Sequence, residues 1–431
     1  MKKILTLLVL AVLWGGTVNA ENVTRRLFFK MTDNWKNNCE GTRVYAWYNT
    51  DDGAVNLLGD YGTAMSNNIN QASAGSNIYY VDVTLPEEQN TINFIVRAGK
   101  NTNGWGTGDC TEMSVVGKYY EFVEKNDISS TFTEKDLTFS LYGESGDIAN
   151  MTTDDNINFS VDGIEGSGQW AVVRPSWTDA SSIDYNLCIR PWDGYTGNQD
   201  FTLKKNVTGI GIYGGTNSWI FTSGINYDFS ININLLEMTV APYITKSVAG
   251  NSKKLGTFSA EGAVAIPDGV TAYIGKLNTA KTGVDMVEVT GGVIPANTGV
   301  LYTSTADAGT QVKFYATNTG ASFSTDGNIL SGTGAAGKTL DVGDYVLATI
   351  NNGQALGFYP INAAANYGAF KAYIPSGSVS AAKLAINFGD ETGIANLSHE
   401  KTDNVYYDLQ GRRVMNPTKG LFIVNGKKVI K

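Results

Sequence analysis

The chain has 431 residues, a formal net charge of −9 at pH 7, and charged side chains at only 17% of its positions. This balance would repel a polyanion, which excludes nucleic acid as a partner. The length exceeds one ordinary core and predicts about three domains. With 49 glycines, 9 prolines and 11% aromatic residues, the composition is typical of many short strands joined by turns, and it favours uncharged ligands such as sugars.

Residues 1–20 have the order of a secretory signal peptide. Lys2 and Lys3 are followed by an apolar run over residues 4–14 and by small residues that end at Ala20, after which cleavage is expected. The apolar run is too short for a resident transmembrane helix, and no later segment is long and apolar enough to form one. No cysteine follows the cleavage site, so no lipid anchor is expected there. The sequence thus predicts an exported protein, at the cell surface or extracellular, without a transmembrane segment.

Residues 21–127 predict a first β-sandwich. Apolar–polar alternation recurs in short runs bounded by turn-forming residues, at positions 27–30, 42–48, 78–85, 92–97 and 118–123. In the second run, Tyr45 and Trp47 face one side of the strand, and Val44 and Ala46 face the other side, which suits a core. We therefore expect Trp47, together with Tyr45, to form part of a sugar-stacking platform. Packing of Trp47 in the sandwich interior is the equal alternative.

Five motifs follow one another in this module: Val44-Tyr45-Ala46-Trp47, Gly62-Thr63-Ala64-Met65, Tyr79-Tyr80-Val81-Asp82, Ile92-Asn93-Phe94-Ile95 and Gly106-Thr107-Gly108-Asp109. In order and spacing, over residues 27–113, the module resembles the starch-binding β-sandwich modules of family twenty-six. Those modules carry Trp-Pro where this chain has Asp60-Tyr61, so Tyr61 replaces a tryptophan that often joins the sugar platform. The resemblance implies starch binding, with candidate sugar-binding side chains Tyr45, Trp47, Tyr61 and Trp105.

Residues 128–242 predict a second β-sandwich, with strand-like runs at positions 137–141, 169–173, 185–190, 209–213 and 227–235. Cys188 lies in one of these runs, where a small buried hydrophobe is its expected role. The segments 187–192 and 224–233 resemble, more loosely, the repeated modules of outer-membrane starch-binding proteins of the SusE and SusF kind. We expect Trp192, at a strand end or loop, and Trp219 to stack on sugars, and capping of the core is the alternative for both rings.

The composition changes near residue 243. The last tryptophan is Trp219, and the later half is rich in Ala, Gly and Val, so a domain boundary is expected just beyond Pro242. Residues 243–391 then predict a third β domain. Its segments 264–273, 294–300, 357–359 and 385–390 resemble an accessory β domain found near the end of many secreted Bacteroidetes proteins. That resemblance implies a spacer or attachment role.

The last predicted unit, residues 392–431, is a short tail with strand patterns. Within it, Asn425-Gly426 is a strong signal for a two-residue β-hairpin. The segments 407–414 and 420–424 resemble the C-terminal sorting signals of type nine secretion. The resemblance implies release or display at the bacterial surface through that route.

Residues that usually carry catalysis or bind metals are sparse or scattered. The one histidine, His399, has no evident partners for a triad or a zinc site and is expected in a solvated linker. The acidic segments 51–53 and 154–156 lack the full spacing of a calcium loop. Cys39 and Cys110 are candidates for a disulfide across the first module. We expect no metal site, no cofactor and no catalytic site, and a glycosidase built from distant carboxylates is the third-ranked alternative.

Together these patterns predict an all-β protein with two β-sandwich modules, a third β domain and a small C-terminal hairpin unit. The expected function is non-catalytic binding of starch or a similar α-glucan at the bacterial surface, strengthened if two modules engage one chain. The alternative is a surface adhesin or structural protein that binds a protein or a host glycan. Other surface glycan-uptake proteins are candidate partners.

Overall fold

A computed structural model confirms the all-β fold. It describes residues 21–38, 41–59, 63–64, 77–98, 106–125, 130–190, 202–205, 213–214, 218–350, 355–388, 406–407, 413–414, 421–424 and 427–430. Contacts between Cα atoms divide the chain into two compact units, Met1–Ile386 and Asn387–Lys431. The first unit contains the two predicted sandwiches and the third domain, so these three share one compact body.

The first sandwich consists of two sheets and one short helix. Its elements are β1 (Asn22–Lys30), α1 (Asp33–Asn38), β2 (Arg43–Thr50), β3 (Gly53–Asn56), β4 (Thr63–Ala64), β5 (Ile78–Pro86), β6 (Thr91–Arg97), β7 (Cys110–Ser114), β8 (Lys118–Val123) and β9 (Thr131–Asp136). One sheet has the order β5-β1-β8-β9, and the other has the order β3-β2-β6-β7, with β4 also paired to β2. Because β9 pairs along the whole of β8, the boundary predicted at residue 127 lies before the last strand of this sandwich.

Aromatic rings fill the space between these two sheets. Phe94 of β6 packs on Phe29 of β1 with ring centroids 5.2 Å apart, and on Tyr120 of β8 at 4.9 Å. Trp35 of α1 is fully buried, and its Nε1 donates a hydrogen bond to Thr42 Oγ1 at 3.0 Å. Burial of each such ring contributes on the order of 2–3 kcal/mol. This core holds the inner faces of β2 and β6 and leaves their other faces toward solvent.

The later part of strand β1 is buried on both of its faces. Leu27, Phe28 and Phe29 are all 2% exposed or less, which breaks the alternation of a half-exposed strand. Phe29 points into the first sandwich, whereas Phe28 packs on Trp177 of the second sandwich, with ring centroids 5.4 Å apart. The two sandwiches therefore share an apolar interface.

The second sandwich also consists of two sheets. Its elements are β10 (Phe139–Gly143), β11 (Gly146–Asn150), β12 (Asn158–Glu165), β13 (Trp170–Pro175), a 3-10 helix (Tyr185–Leu187), β14 (Thr202–Lys205), β15 (Tyr213–Gly214), β16 (Trp219–Ile220), β17 (Asn226–Asn232) and β18 (Glu237–Ser247). The sheet orders are β11-β10-β13-β16-β15 and β12-β17-β18-β14. Phe139 of β10 packs edge-on against Phe159 of β12 at 4.8 Å, so aromatic rings again fill the space between the sheets.

The segment 185–190 is not the strand that its alternation predicts. Leu187 N–H donates to Asp184 O at 3.0 Å, which closes a 3-10 turn, and only Ile189 bridges to Val173 of β13. The Leu187 carbonyl accepts a hydrogen bond from Trp177 Nε1 at 2.9 Å. The Leu187 carbonyl therefore bonds a tryptophan side chain rather than the backbone of a neighbouring strand.

The third domain has one larger sheet and several two-stranded ribbons. Its strands are β19 (Gly256–Phe258), β20 (Val264–Ala265), β21 (Val270–Leu277), β22 (Gly283–Glu288), β23 (Val293–Ile294), β24 (Val300–Ser304), β25 (Gln311–Tyr315), β26 (Ser331–Gly332), β27 (Lys338–Leu340), β28 (Tyr345–Ile350), β29 (Ala355–Pro360), β30 (Ala365–Tyr367), β31 (Ala372–Tyr373) and β32 (Ala385–Phe388). The larger sheet has the order β19-β24-β21-β22-β32, and the ribbons pair β20 with β23, β26 with β31, β27 with β30 and β28 with β29.

Strand β18 belongs to the second sandwich and to the third domain at once. Its residues from Glu237 to Tyr243 pair with β17, and its residues from Tyr243 to Ser247 pair with β25. The boundary predicted at residue 243 therefore lies inside a strand. The side-chain composition changes at this point, but the backbone hydrogen bonding continues through it.

Asp228 of β17 ties the two sides of this junction together. Its carboxylate accepts hydrogen bonds from Gly163 N–H at 2.8 Å, from Lys313 Nζ at 3.2 Å and from the Tyr315 hydroxyl. Lys313 Nζ also lies 4.4 Å above the ring centroid of Tyr243. Since Lys313 and Tyr315 are on β25, these contacts join the third domain to the second sandwich.

The unit Asn387–Lys431 contains a small sheet with the order β34-β33-β35-β36. Its strands are β33 (Tyr406–Tyr407), β34 (Arg413–Val414), β35 (Leu421–Val424) and β36 (Lys427–Ile430). Val424 lies opposite Lys427, which is the register that a two-residue hairpin at Asn425-Gly426 predicts.

Candidate functional site

Strand β2 presents two aromatic side chains on its outer face. Val44 and Ala46 are fully buried in the first sandwich, whereas Tyr45 and Trp47 are half-buried and belong to neither apolar core. This confirms the predicted division of the strand into a core side and an outer side. Of the two roles considered for Trp47, the structure excludes packing in the sandwich interior.

The two rings of this face lie side by side. Their centroids are 5.3 Å apart, and their planes are inclined by 39°. The hydroxyl of Tyr45 donates a hydrogen bond to Asn56 Oδ1, which fixes the Tyr45 ring from β3. Trp47 lies opposite Asn56 in β3 and opposite Asn93 in β6. We call Tyr45, Trp47, Asn56 and Asn93 the β2 aromatic face.

Polar groups border the β2 aromatic face. Asn93 is only 5% exposed, and its Oδ1 accepts a hydrogen bond from Glu112 N–H at 3.0 Å, so its amide is held in one orientation. Next to Tyr45 on the strand, Arg43 lies opposite Arg97 of β6, which adds two guanidinium groups at one end. Within the described residues the indole N–H of Trp47 has no hydrogen-bond partner. The face therefore offers ring surfaces, amides and the indole N–H of Trp47 together.

Other predicted site residues cannot be placed on this face or elsewhere. Tyr61, Trp105 and Trp192 lie outside the described residues, as do Cys39 and His399. Their predicted roles stay predictions.

Trp219 is not available for sugar stacking. It is fully buried and packs edge-on against Phe229, with ring centroids 5.1 Å apart. Across the sheet it lies opposite Ala171 of β13 and Gly214 of β15. The alternative role, packing in the core, is the one that the structure shows.

A second aromatic pair stands on the outer side of the second sandwich, and the sequence patterns did not single it out. Trp170 of β13 is half-buried, and Tyr185 of the 3-10 helix is 42% exposed. Their ring centroids are 6.3 Å apart, with planes inclined by 57°. Local alternation gives no signal for Trp170, because Ala171, Val172 and Val173 that follow it are all buried. We call Trp170 and Tyr185 the β13 aromatic pair.

The described cysteines are buried thiols. Cys110 is a buried free thiol whose Sγ lies 3.7 Å from Thr131 Oγ1, and its predicted disulfide partner Cys39 lies outside the described residues. The Cys110 side chain points toward β9 and fills the core there. Cys188 is fully buried, as expected of a small hydrophobe, and burial raises the pKa of its thiol to about 12.

The acidic segments serve as turns. Asp155 accepts hydrogen bonds from the N–H groups of Ile157 at 2.8 Å and Asn158 at 2.7 Å. Burial opposes ionisation of this carboxyl, but these bonds outweigh it and lower the pKa of Asp155. Asp51 and Asp52 form the turn between β2 and β3. Among the described residues, no three His, Cys, Asp or Glu side chains are grouped to hold a metal ion.

Comparisons with known proteins identify no relative of this chain. No family model, no curated protein and no solved structure matches it. In the described part of the chain, no helix has the length and apolarity needed to cross a membrane.

Proposed function

We propose that this protein binds starch or a similar α-glucan without turnover, and that the β2 aromatic face is the main binding surface. The observation that carries the proposal is the pair Tyr45 and Trp47, with centroids 5.3 Å apart and planes inclined by 39°. Sugar rings present C–H groups that pack on aromatic faces, while amides and guanidinium groups bond the hydroxyls. The α-linkage bends a glucan chain, so successive sugar rings are inclined, and two inclined aromatic planes complement such a chain.

The alignment of the polar groups supports the same ligand class. Asn56 and Asn93 flank Trp47 on either side, and Arg43 lies at the end next to Tyr45. These groups can bond ring hydroxyls without requiring a charged ligand. A neutral polysaccharide also avoids the repulsion that a polyanion would meet from a net charge of −9.

The β13 aromatic pair is a second point of contact in this proposal. Single stacking contacts are weak, but two sites on one compact body can hold the same polysaccharide chain at a high effective concentration. Display at the bacterial surface, through the predicted signal peptide and the tail, would place both sites where long glucans are met. Other surface glycan-uptake proteins are the partners proposed for that setting.

The test is electrophoresis of residues 21–431 in native gels that contain amylopectin, with dextran and pullulan gels beside them. We expect retardation on amylopectin, and we expect Trp47→Ala to weaken it about ten-fold or more, because loss of an aromatic anchor costs about 1.4 kcal/mol or more. Trp170→Ala should reduce the retardation by a smaller factor. Tyr359→Ala removes a half-buried tyrosine of β29, far from both aromatic sites in the sequence, and is the matched control.

Unretarded migration of the wild-type chain on every glucan would contradict the proposal. The adhesin alternative, with a protein or host glycan as partner, would then take its place. Equal retardation of wild type and Trp47→Ala would contradict the assignment of the β2 aromatic face.

A further inference from the structure

The third domain contains an open cleft that the proposed glucan site does not use. It has a volume of about 400 Å³, within the range of small-molecule pockets. One wall is the end of β18 with β19, which contributes Lys246 and Thr257, and the opposite wall is the ribbon of β28 and β29, which contributes Leu347 and Leu356. Lys371 completes the lining.

Among the described residues, two lysines and no carboxylate line this cleft. Lys246 Nζ donates a hydrogen bond to Ala369 O at 3.3 Å and otherwise faces the rings of Phe258 and Phe370, 6.0 and 5.9 Å from their centroids. Lys371 Nζ lies 4.8 Å from the ring centroid of Tyr367. Among the described residues, no Asp or Glu forms an ion pair with either lysine. The charged side chains that line the described part of this cleft are thus Lys246 and Lys371, although the protein as a whole is acidic.

The environment of Lys246 in this cleft disfavours the charged ammonium form of its side chain. Burial, together with repulsion from Lys371, lowers the pKa of Lys246 to about 8. One carbonyl and two ring faces replace only part of the hydration that a buried ammonium group loses. A bound anion would supply the missing counter-charge, and its hydrogen bonds to two ammonium groups would be charge-assisted.

The rest of the lining is suited to a hydroxylated body rather than to a bare inorganic ion. Ser247, Asn251 and Thr349 add hydroxyl and amide groups, and Leu347 and Leu356 add apolar surface. The ring of Tyr302 packs over Gly256, where a Cβ would stand 2.6 Å from the ring, so the glycine lets this tyrosine form part of the wall.

We propose that this cleft binds a free organic acid of monosaccharide size, an acidic sugar, with its carboxylate between the Nζ atoms of Lys246 and Lys371 and its hydroxylated ring against the β28–β29 ribbon. The site is separate from the β2 aromatic face, and its existence does not depend on glucan binding. It gives the third domain a ligand of its own. This ligand is anionic, whereas the proposed glucan is neutral.

The test is calorimetric titration of residues 21–431 with D-glucuronate, with D-glucose as the neutral ligand of the same size. We expect glucuronate to bind and glucose not to bind. Lys246→Met and Lys371→Gln should each weaken glucuronate about ten-fold or more, because each removes one of two charge-assisted contacts. Trp47→Ala should leave the glucuronate affinity unchanged, which separates this site from the glucan site.

Equal binding of glucose and glucuronate, no binding of glucuronate, or unchanged affinity in Lys246→Met would each overturn the proposal. Loss of binding can be distinguished from loss of fold, because Lys246→Met removes a half-buried charge and thermal unfolding of the same sample reports whether it is folded. Lys313→Met changes a lysine in the Asp228 cluster, outside the cleft lining, and is the matched control expected to keep full affinity.

Discussion

At the scale of single residues, one hydrogen bond holds the geometry of the β2 aromatic face. The Tyr45 hydroxyl bonds Asn56 Oδ1, and this contact sets the inclination of the Tyr45 ring to Trp47. Tyr45→Phe keeps the ring and loses the bond, whereas Tyr45→Ala loses both. We expect amylopectin retardation to fall by a few-fold in Tyr45→Phe and by about ten-fold in Tyr45→Ala. Equal retardation of Tyr45→Ala and wild type would show that Tyr45 does not contribute to glucan binding.

A second residue-scale prediction concerns Lys246 and pH. Its pKa is lowered from 10.5 to about 8 in the folded chain, chiefly by burial. Between pH 8 and pH 10.5, Lys246 therefore binds more protons in the unfolded chain than in the folded chain. The free energy of unfolding should then rise as pH rises through this range. Lys246→Met lacks this group, so we expect it to be more stable than wild type by about 1–3 kcal/mol at pH 7 and to lose the rise.

The measurement for Lys246 is chemical denaturation of wild type and Lys246→Met at several pH values from 7 to 10. Lys253→Met, at an exposed lysine, is the control and should follow wild type. A Lys246→Met variant that is less stable at pH 7, with the wild-type pH slope retained, would contradict the prediction.

At the scale of elements, the joint between β17, β18 and β25 depends on Asp228. Its carboxylate holds Lys313 and Tyr315 of β25 and the backbone of Gly163. Asp228→Ala leaves these donors without their acceptor, so we expect a loss of about 1–3 kcal/mol in the free energy of unfolding. Asp326→Ala, at an exposed turn aspartate, should change it by less than about 0.5 kcal/mol. Equal stability of the two variants, in thermal or urea denaturation, would show that the cluster does not stabilise the joint.

The sequence predicts features that depend on a single strand better than features that depend on the pairing of two strands. The two sides of β2 could be predicted because alternation along one strand is a local property, and the burial of Val44 and Ala46 agrees with it. The sequence could not predict which tryptophan of the second sandwich faces outward, because the answer depends on cross-strand register. Trp219 and Trp170 lie on paired strands, with Trp219 opposite Ala171 and Trp170 opposite Ile220. A shift of one residue in such a pairing exchanges the two faces.

The same reasoning explains the other differences between prediction and structure. The alternation of residues 185–190 favours a strand, but the side chain of Trp177 takes the Leu187 carbonyl that a neighbouring strand would need. The change in composition at residue 243 does not end a structural unit, because β18 crosses it and the two ends of that strand pair with different strands. One apolar cluster also contains residues from both sides of this position. Composition does not report hydrogen bonding between distant strands.

At the scale of the whole molecule, the two sandwiches and the third domain should unfold together. Phe28 and Trp177 join the two sandwiches, and β18 joins the second sandwich to the third domain. We expect one cooperative calorimetric transition for this unit, because these shared contacts couple the unfolding of its three parts. Trp177→Ala should destabilise it by about 3–5 kcal/mol, as expected for a large ring removed from a core. Three separate transitions in wild type would contradict a shared body.

One compact body also bears on binding. The β2 aromatic face and the β13 aromatic pair both belong to the compact unit that ends at Ile386. Their relation is then set by packing, and the gain from engaging both sites depends on whether one glucan chain can span them.

The most direct test of the central claim is calorimetric titration of residues 21–431 with maltoheptaose, for wild type and for the double variant Tyr45→Ala/Trp47→Ala, with thermal unfolding to confirm that both are folded. We expect saturable binding by wild type and a loss of about ten-fold or more in affinity in the double variant. Unchanged maltoheptaose affinity in a folded double variant would contradict it.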